Sequence, residues 1–146
     1  MGQFATTLDR VSDLVSAVGF KEDPTPHDKP GESAVRMDKS FRSLIRGVRN
    51  TNKMSDRTIA LVRLDLAVRL VHRMRIGSDG KLDLKRAAND YETVMAAIMG
   101  DSTLNALGHV NFTDWPVKTS RTGEHIECDV RFAVLVEMDW ALSAEP

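Results

Sequence analysis

Four histidines, one cysteine and a surplus of carboxylates are the side chains of this 146-residue chain that could do chemistry. A catalytic or metal centre needs several such groups at a spacing that brings them together. His27, His72, His109 and His125 are scattered along the chain. His109 and His125 could approach each other if the last two strands form a hairpin. Ordinary strand-end histidines are the favoured reading, because a metal-bound imidazole also needs its second nitrogen held. Cys128 falls on the apolar side of an alternating run, where a thiol packs rather than reacts. Glu127, Asp129, Glu137 and Asp139 lie along that same run, on an open sheet face. Acid–base catalysis instead wants carboxyls held in a cleft with perturbed pKa values. GxxxxGK[ST], GxGxxG after a strand, CxxC, HExxH and GxSxG are all missing. The SDGK turn lacks the distal glutamate of a calcium loop. No catalytic residue, metal or cofactor is expected.

Charge is the stronger signal. The net charge is −1, but residues 1–35 carry −3, residues 36–86 carry +9 and residues 87–146 carry −7. Arg42, Arg46, Arg49, Lys53 and Arg57 crowd one stretch, and Arg69, Arg73 and Arg75 follow. Single-strand nucleic-acid readers add aromatic platforms, yet aromatics make up only 5% here and only Phe41 lies nearby. Base-specific binding is therefore not expected. Phosphate contact, or contact with an acidic protein face, stays open. The asymmetry has two readings. Internal neutralisation between paired strands is the simpler. The other is a head-to-tail oligomer in which a basic face meets an acidic one. Its candidate interface residues are Arg46, Arg49, Lys53, Arg57, Arg69 and Arg73 against Glu127, Asp129, Glu137 and Asp139.

The elements that must position these groups follow from periodicity. Phe4, Leu8, Val11, Val15 and Val18 predict a helix over 3–19, with Thr6 a possible cap and Gly19 the stop. Residues 20–37 hold three prolines and are expected to form a projecting loop. Residues 39–48 read as a strand, and 47–57 as a second projecting loop. Strict alternation over 58–75 and again over 125–139 predicts two long strands, each with one dry face. Residues 83–99 return to helical spacing, with Asp83 as N-cap and Gly100 as stop. Residues 109–118 read as an edge strand with Pro116 near its end, and 140–146 as a C-terminal tail. The expected fold class is α+β: one two-layer domain over 1–146, in the order α-β-β-α-β-β. Two helices would cover one face of a mainly antiparallel four-stranded sheet.

A hydrophobic fraction of 42% with 28% charged residues excludes general disorder. No apolar run approaches the roughly 18 residues of a membrane span. The start MGQFATTLDRVSDLV has no basic n-region, so a secretory signal is not expected. A single cysteine fits assembly in a reducing cytoplasm.

A short helix, a Pro-rich loop, a strand pair, a second helix and a closing hairpin ending TGEHIECDVRFAVLVEMDW form a recognisable outline. It resembles the tail terminator (tail completion) proteins of long-tailed bacteriophages, the minor tail protein U-like family, over nearly the whole chain. The resemblance implies a structural virion protein at the tail–neck junction. Six copies would form a ring that caps the tail tube, stops its polymerisation and joins it to the head-side neck or stopper protein. DNA would pass non-specifically through the lumen. The partners would be further copies of the chain, the tube protein and the neck protein, with no membrane, cofactor or reaction. The two loops would then make the axial contacts. Alternatives are another head–tail connector component (adaptor or stopper), a tail tube subunit, or a small cytoplasmic enzyme or regulator.

Overall fold

The computed structural model describes residues 3–23, 38–54, 59–73, 80–122 and 125–139. Helix α1 spans Gln3–Ala17. Strand β1 is the two residues Lys21–Glu22, followed by β2 over Lys39–Met54 and β3 over Ile59–Arg73. Helix α2 spans Gly80–Met99, and β4 (Asn111–Thr122) and β5 (His125–Asp139) complete the chain. The fold is mixed α+β, with one sheet in the order β1-β2-β3-β5-β4. β1 runs parallel to β2 and every other pair is antiparallel.

The long strands behave as their alternation dictates. Leu64, Leu66, Val68 and Leu70 of β3 and Cys128, Val130, Phe132 and Val134 of β5 are buried. They form one core cluster with Val11 and Val15 of α1 and Ala87, Tyr91, Val94 and Ile98 of α2. The two strands pair without a register shift from Ile59↔Asp139 to Arg73↔His125. A slip of one residue would turn the whole apolar set outward.

Five expectations are corrected. The sheet has five strands rather than four, because Lys21–Glu22, inside the expected 20–37 loop, pairs with Ser40 and Phe41. The backbone N–H of Asp23 also donates to the Phe41 carbonyl at 2.9 Å. The expected 47–57 loop is strand as far as Met54. Its polar sequence lacks strand propensity, but β3 continues to Ile59 and offers backbone partners that override it. Register shifts after Ile45 and after Asn50 absorb the mismatch. β4 runs on to Thr122, four residues past the expected end of the edge strand at 118. α2 begins at Gly80, three residues before the expected Asp83 cap. In α1, Thr7 Oγ1 donates to the Gln3 carbonyl at 2.7 Å, so the helix has begun before Thr6 could cap it. Gly19 does end the helix, in a left-handed conformation with φ 107°. Residues 24–37 of the first loop, Arg57 and the 140–146 tail lie outside the described residues.

Candidate functional site

On the sheet face opposite the core cluster, three of the ten predicted interface charges are paired within the chain. Arg69 stands directly opposite Asp129 and binds it through Nε at 2.9 Å and Nη2 at 3.2 Å. Asp129, and then Glu127, hold the Arg69 guanidinium pKa above its ordinary value against the opposing effect of burial. Arg42, which faces Arg69 on the other side, turns to Asp23 instead, with Nε 3.2 Å from Oδ2. Asp65 is buried on this face because Arg49 and Arg63 cover it, at 3.0 and 3.1 Å. For Arg49, Arg69 and Asp129, internal neutralisation is therefore the arrangement found. Arg73 is half-buried opposite His125, and its carbonyl accepts from Arg86 at 3.1 Å. Glu127 lies between Val71 and Ser120.

The remaining described members of the predicted set gather at one end of the sheet. At the end near His125, a row runs across five strands: Glu22, Phe41, Leu70, Cys128 and Thr119. At the other end the row is Lys53, Leu61 and Glu137, three strands wide among the described residues. β4 stops pairing with β5 at Ala133, and β1 reaches only Phe41 of β2. Arg46, Arg49 and Lys53 thus lie on the β2 edge of this narrow end, and Glu137 and Asp139 on the β5 edge. Arg46 is exposed and Glu137 half-buried, and neither forms an ion pair among the described residues. Ile45 and Val48, on the same β2 edge, are 37% and 44% exposed. Beside the β5 edge lies a groove of about 300 Å³ between Gln3 and Thr7 of α1, Leu104, Leu107 and the β5 segment Val134–Glu137. Arg10 braces one wall, donating from Nε to Asp101 Oδ2 at 3.1 Å, while that oxygen accepts from the Leu104 N–H at 3.0 Å. The Arg10 bond is the chief reason the Asp101 carboxyl is held below its ordinary pKa.

A second cluster was only half visible in the sequence. His72 continues the apolar register of β3 and is 1% exposed. Its Nε2 lies 2.9 Å from Asp90 Oδ2 on α2, and Lys39 Nζ lies 3.1 Å from the same oxygen. Phe20 and Tyr91 meet the imidazole edge-on, with centroids at 5.1 and 5.2 Å. Lys39 Nζ also sits 4.7 Å from the Phe20 ring centroid. Burial is the first cause of a His72 pKa below the ordinary value; Asp90 opposes it, and Lys39 and Arg86 add to it. Burial alone would raise Asp90, but the hydrogen bonds from His72 and Lys39 outweigh it and hold the carboxyl low. The imidazole is neutral at neutral pH and donates from Nε2 to the carboxylate. The arrangement clamps β2, β3, α2 and the end of the α1 connection together. Chemically it resembles half of a catalytic dyad, but a general base must reach its substrate, and this imidazole is sealed. Asp90 carried no sequence signal of its own. A histidine in dry-face register was the clue, since a buried imidazole needs an acceptor.

Cys128 is fully buried, and desolvation pushes its thiol up to about 12, so it stays protonated and inert. His109 and His125 do not meet: His125 is level with Thr122, whereas His109 lies beside Ala133 and Leu135. The ten-residue step along β5 from His125 to Leu135 spans roughly 33 Å. Among the described residues no group of three or more metal-ligating side chains converges, and no helix is long and apolar enough to cross a membrane. Comparison with known protein families and with curated protein sequences found no match.

Proposed function

We propose that the chain is a structural virion protein of a long-tailed bacteriophage. It acts as a tail terminator, forming a six-copy ring that caps the tail tube and joins it to the neck. One observation carries the reading: the narrow end of the sheet has a basic edge on β2 and an acidic edge on β5, on opposite sides of the same subunit. A contact between two different patches of one chain is heterologous, and it closes into a ring when the rotation per copy divides a full turn. Opposite charges on those patches favour one orientation of approach. The resemblance of the element order and of the closing strand to tail terminators supports the same reading. The open sheet, with β1 and β4 at its edges, favours a terminator over a tube subunit built as a closed barrel.

Electron microscopy of the purified protein mixed with tail tubes tests it. The expected image is a six-fold ring on one tube end, with tube growth arrested. Tubes that bind no protein and elongate unhindered would overturn it.

A further inference from the structure

We infer that neighbouring copies join through side chains, the Ile45–Val48 patch of one copy seating on the groove beside β5 of the next. The inference rests on the ring reading and names its subunit contact.

A bulge builds the patch. Ile45 is level with Leu66 and Gly47 with Asp65, so the register passes over Arg46 as an extra residue. In an even strand, positions 45 and 48 point to opposite faces. The extra residue returns Val48 to the face of Ile45, level with the core residue Leu64. Helix α1 reaches β2 at Ser43, whose Oγ lies 3.4 Å from Ser12 Oγ. The next two positions on that face, Ile45 and Val48, are exposed beside buried Leu66 and Leu64. The groove lies on the same face at the opposite edge of the sheet, with α1 as one wall. Leu104, Leu107, Val134 and Val136 make its apolar part, and Leu107 is itself exposed. Arg10 on its wall is engaged by Asp101. The groove is thus an apolar seat with a polar rim, the anatomy of a protein contact.

Level and charge select a second copy as the occupant. Val48, Leu64 and Val134 form one row across the sheet. A closed ring has no axial rise, so where the strands run along its axis the patch of one copy stands level with the groove of its neighbour. Arg46 is exposed within the patch and Glu137 is half-buried at the groove. Neither forms an ion pair among the described residues, and the contact brings the two opposite charges together. Two β2 patches meeting each other would set Arg46 against Arg46, which disfavours a two-fold pair.

Crosslinking between differently substituted copies of the full chain tests this. V48C protein is mixed with L107C protein and treated with a short bis-maleimide, so a 48–107 link arises only between copies. Cys128 is buried and stays silent. The mixture is expected to give 48–107 links, read by mass spectrometry, while each variant alone gives none. Sedimentation of the unsubstituted protein, alone and with tail tubes, reads ring formation separately. Charge substitution is the second measurement: V48E and L107K each weaken assembly tenfold or more and the combined variant recovers it, with circular dichroism checking that each one folds. A ring without 48–107 links, or one that V48E leaves intact, overturns the contact and leaves the ring reading standing. V48E rings that no longer bind tubes give the patch to the tube protein and likewise overturn the contact. Links in V48C alone overturn it in favour of a two-fold pair. Monomer throughout, with no links, overturns both the contact and the ring.

Discussion

Arg69 and Asp129 face each other on adjacent strands and share two hydrogen bonds, at 2.9 and 3.2 Å. This pair takes two residues out of the interface set that charge asymmetry suggested and assigns them to the sheet itself. The Arg69 side chain is 52% exposed, and such pairs contribute about 1 kcal/mol or less. R69A is therefore expected to lower unfolding free energy by no more than that and to leave self-association unchanged. Urea titration and sedimentation read the two effects separately, and a large loss of assembly in R69A would return Arg69 to the interface.

Leu66 sits at the centre of the dry face of β3, level with Phe132, and is 1% exposed. Truncation removes its transfer free energy and leaves a cavity, so L66A is expected to cost about 2–5 kcal/mol. A shift of the denaturant midpoint at constant slope is the signature.

Acid should act in two windows. His72 binds its proton less readily folded than unfolded. As pH falls below about 6.5 the unfolded chain protonates first, so stability declines there and levels off below the folded pKa. Asp90 and Asp101 are shifted down. Their contribution is intact above an unfolded pKa of about 3.9 and is lost as pH falls through their folded values. H72Q should flatten the upper window and leave the part of the lower one that Asp101 contributes, since Arg10 and not His72 holds that carboxyl low. Thermal melts from pH 8 to pH 3 compare the two profiles, and an unchanged upper window in H72Q would exclude His72 as its source.

Gly19 holds φ at 107°, where an added Cβ would find its nearest neighbour, Lys39 Nζ, at an unstrained 3.4 Å. Space is therefore available and the cost is backbone strain, about 1–2 kcal/mol for an L residue in this region. G19A is expected to lose that much in equilibrium unfolding, and a neutral result would mean the connection from α1 relaxes.

By itself the sequence determined the parts whose physics is local. Alternation over β3 and β5 specified two long strands and their buried faces, including His72 and Cys128. Helical spacing specified α1 and α2, and Gly19 the end of the first. What it could not determine was pairing. Lys21–Glu22 is too short to carry a period and is a strand only because β2 lies alongside. Residues 47–54 are polar and poor in strand formers, and they are extended because β3 supplies a ladder over its full length. Asp90 became a partner of His72 only when α2 packed over β3, a contact between residues whose spacing in the chain carries no pattern. The charge blocks were legible as totals. Which charges cancel and which face outward was decided by register, since a row across the sheet joins residues far apart in sequence. That register placed Arg69 opposite Asp129 and left Lys53 and Glu137 on opposite edges of a three-stranded end.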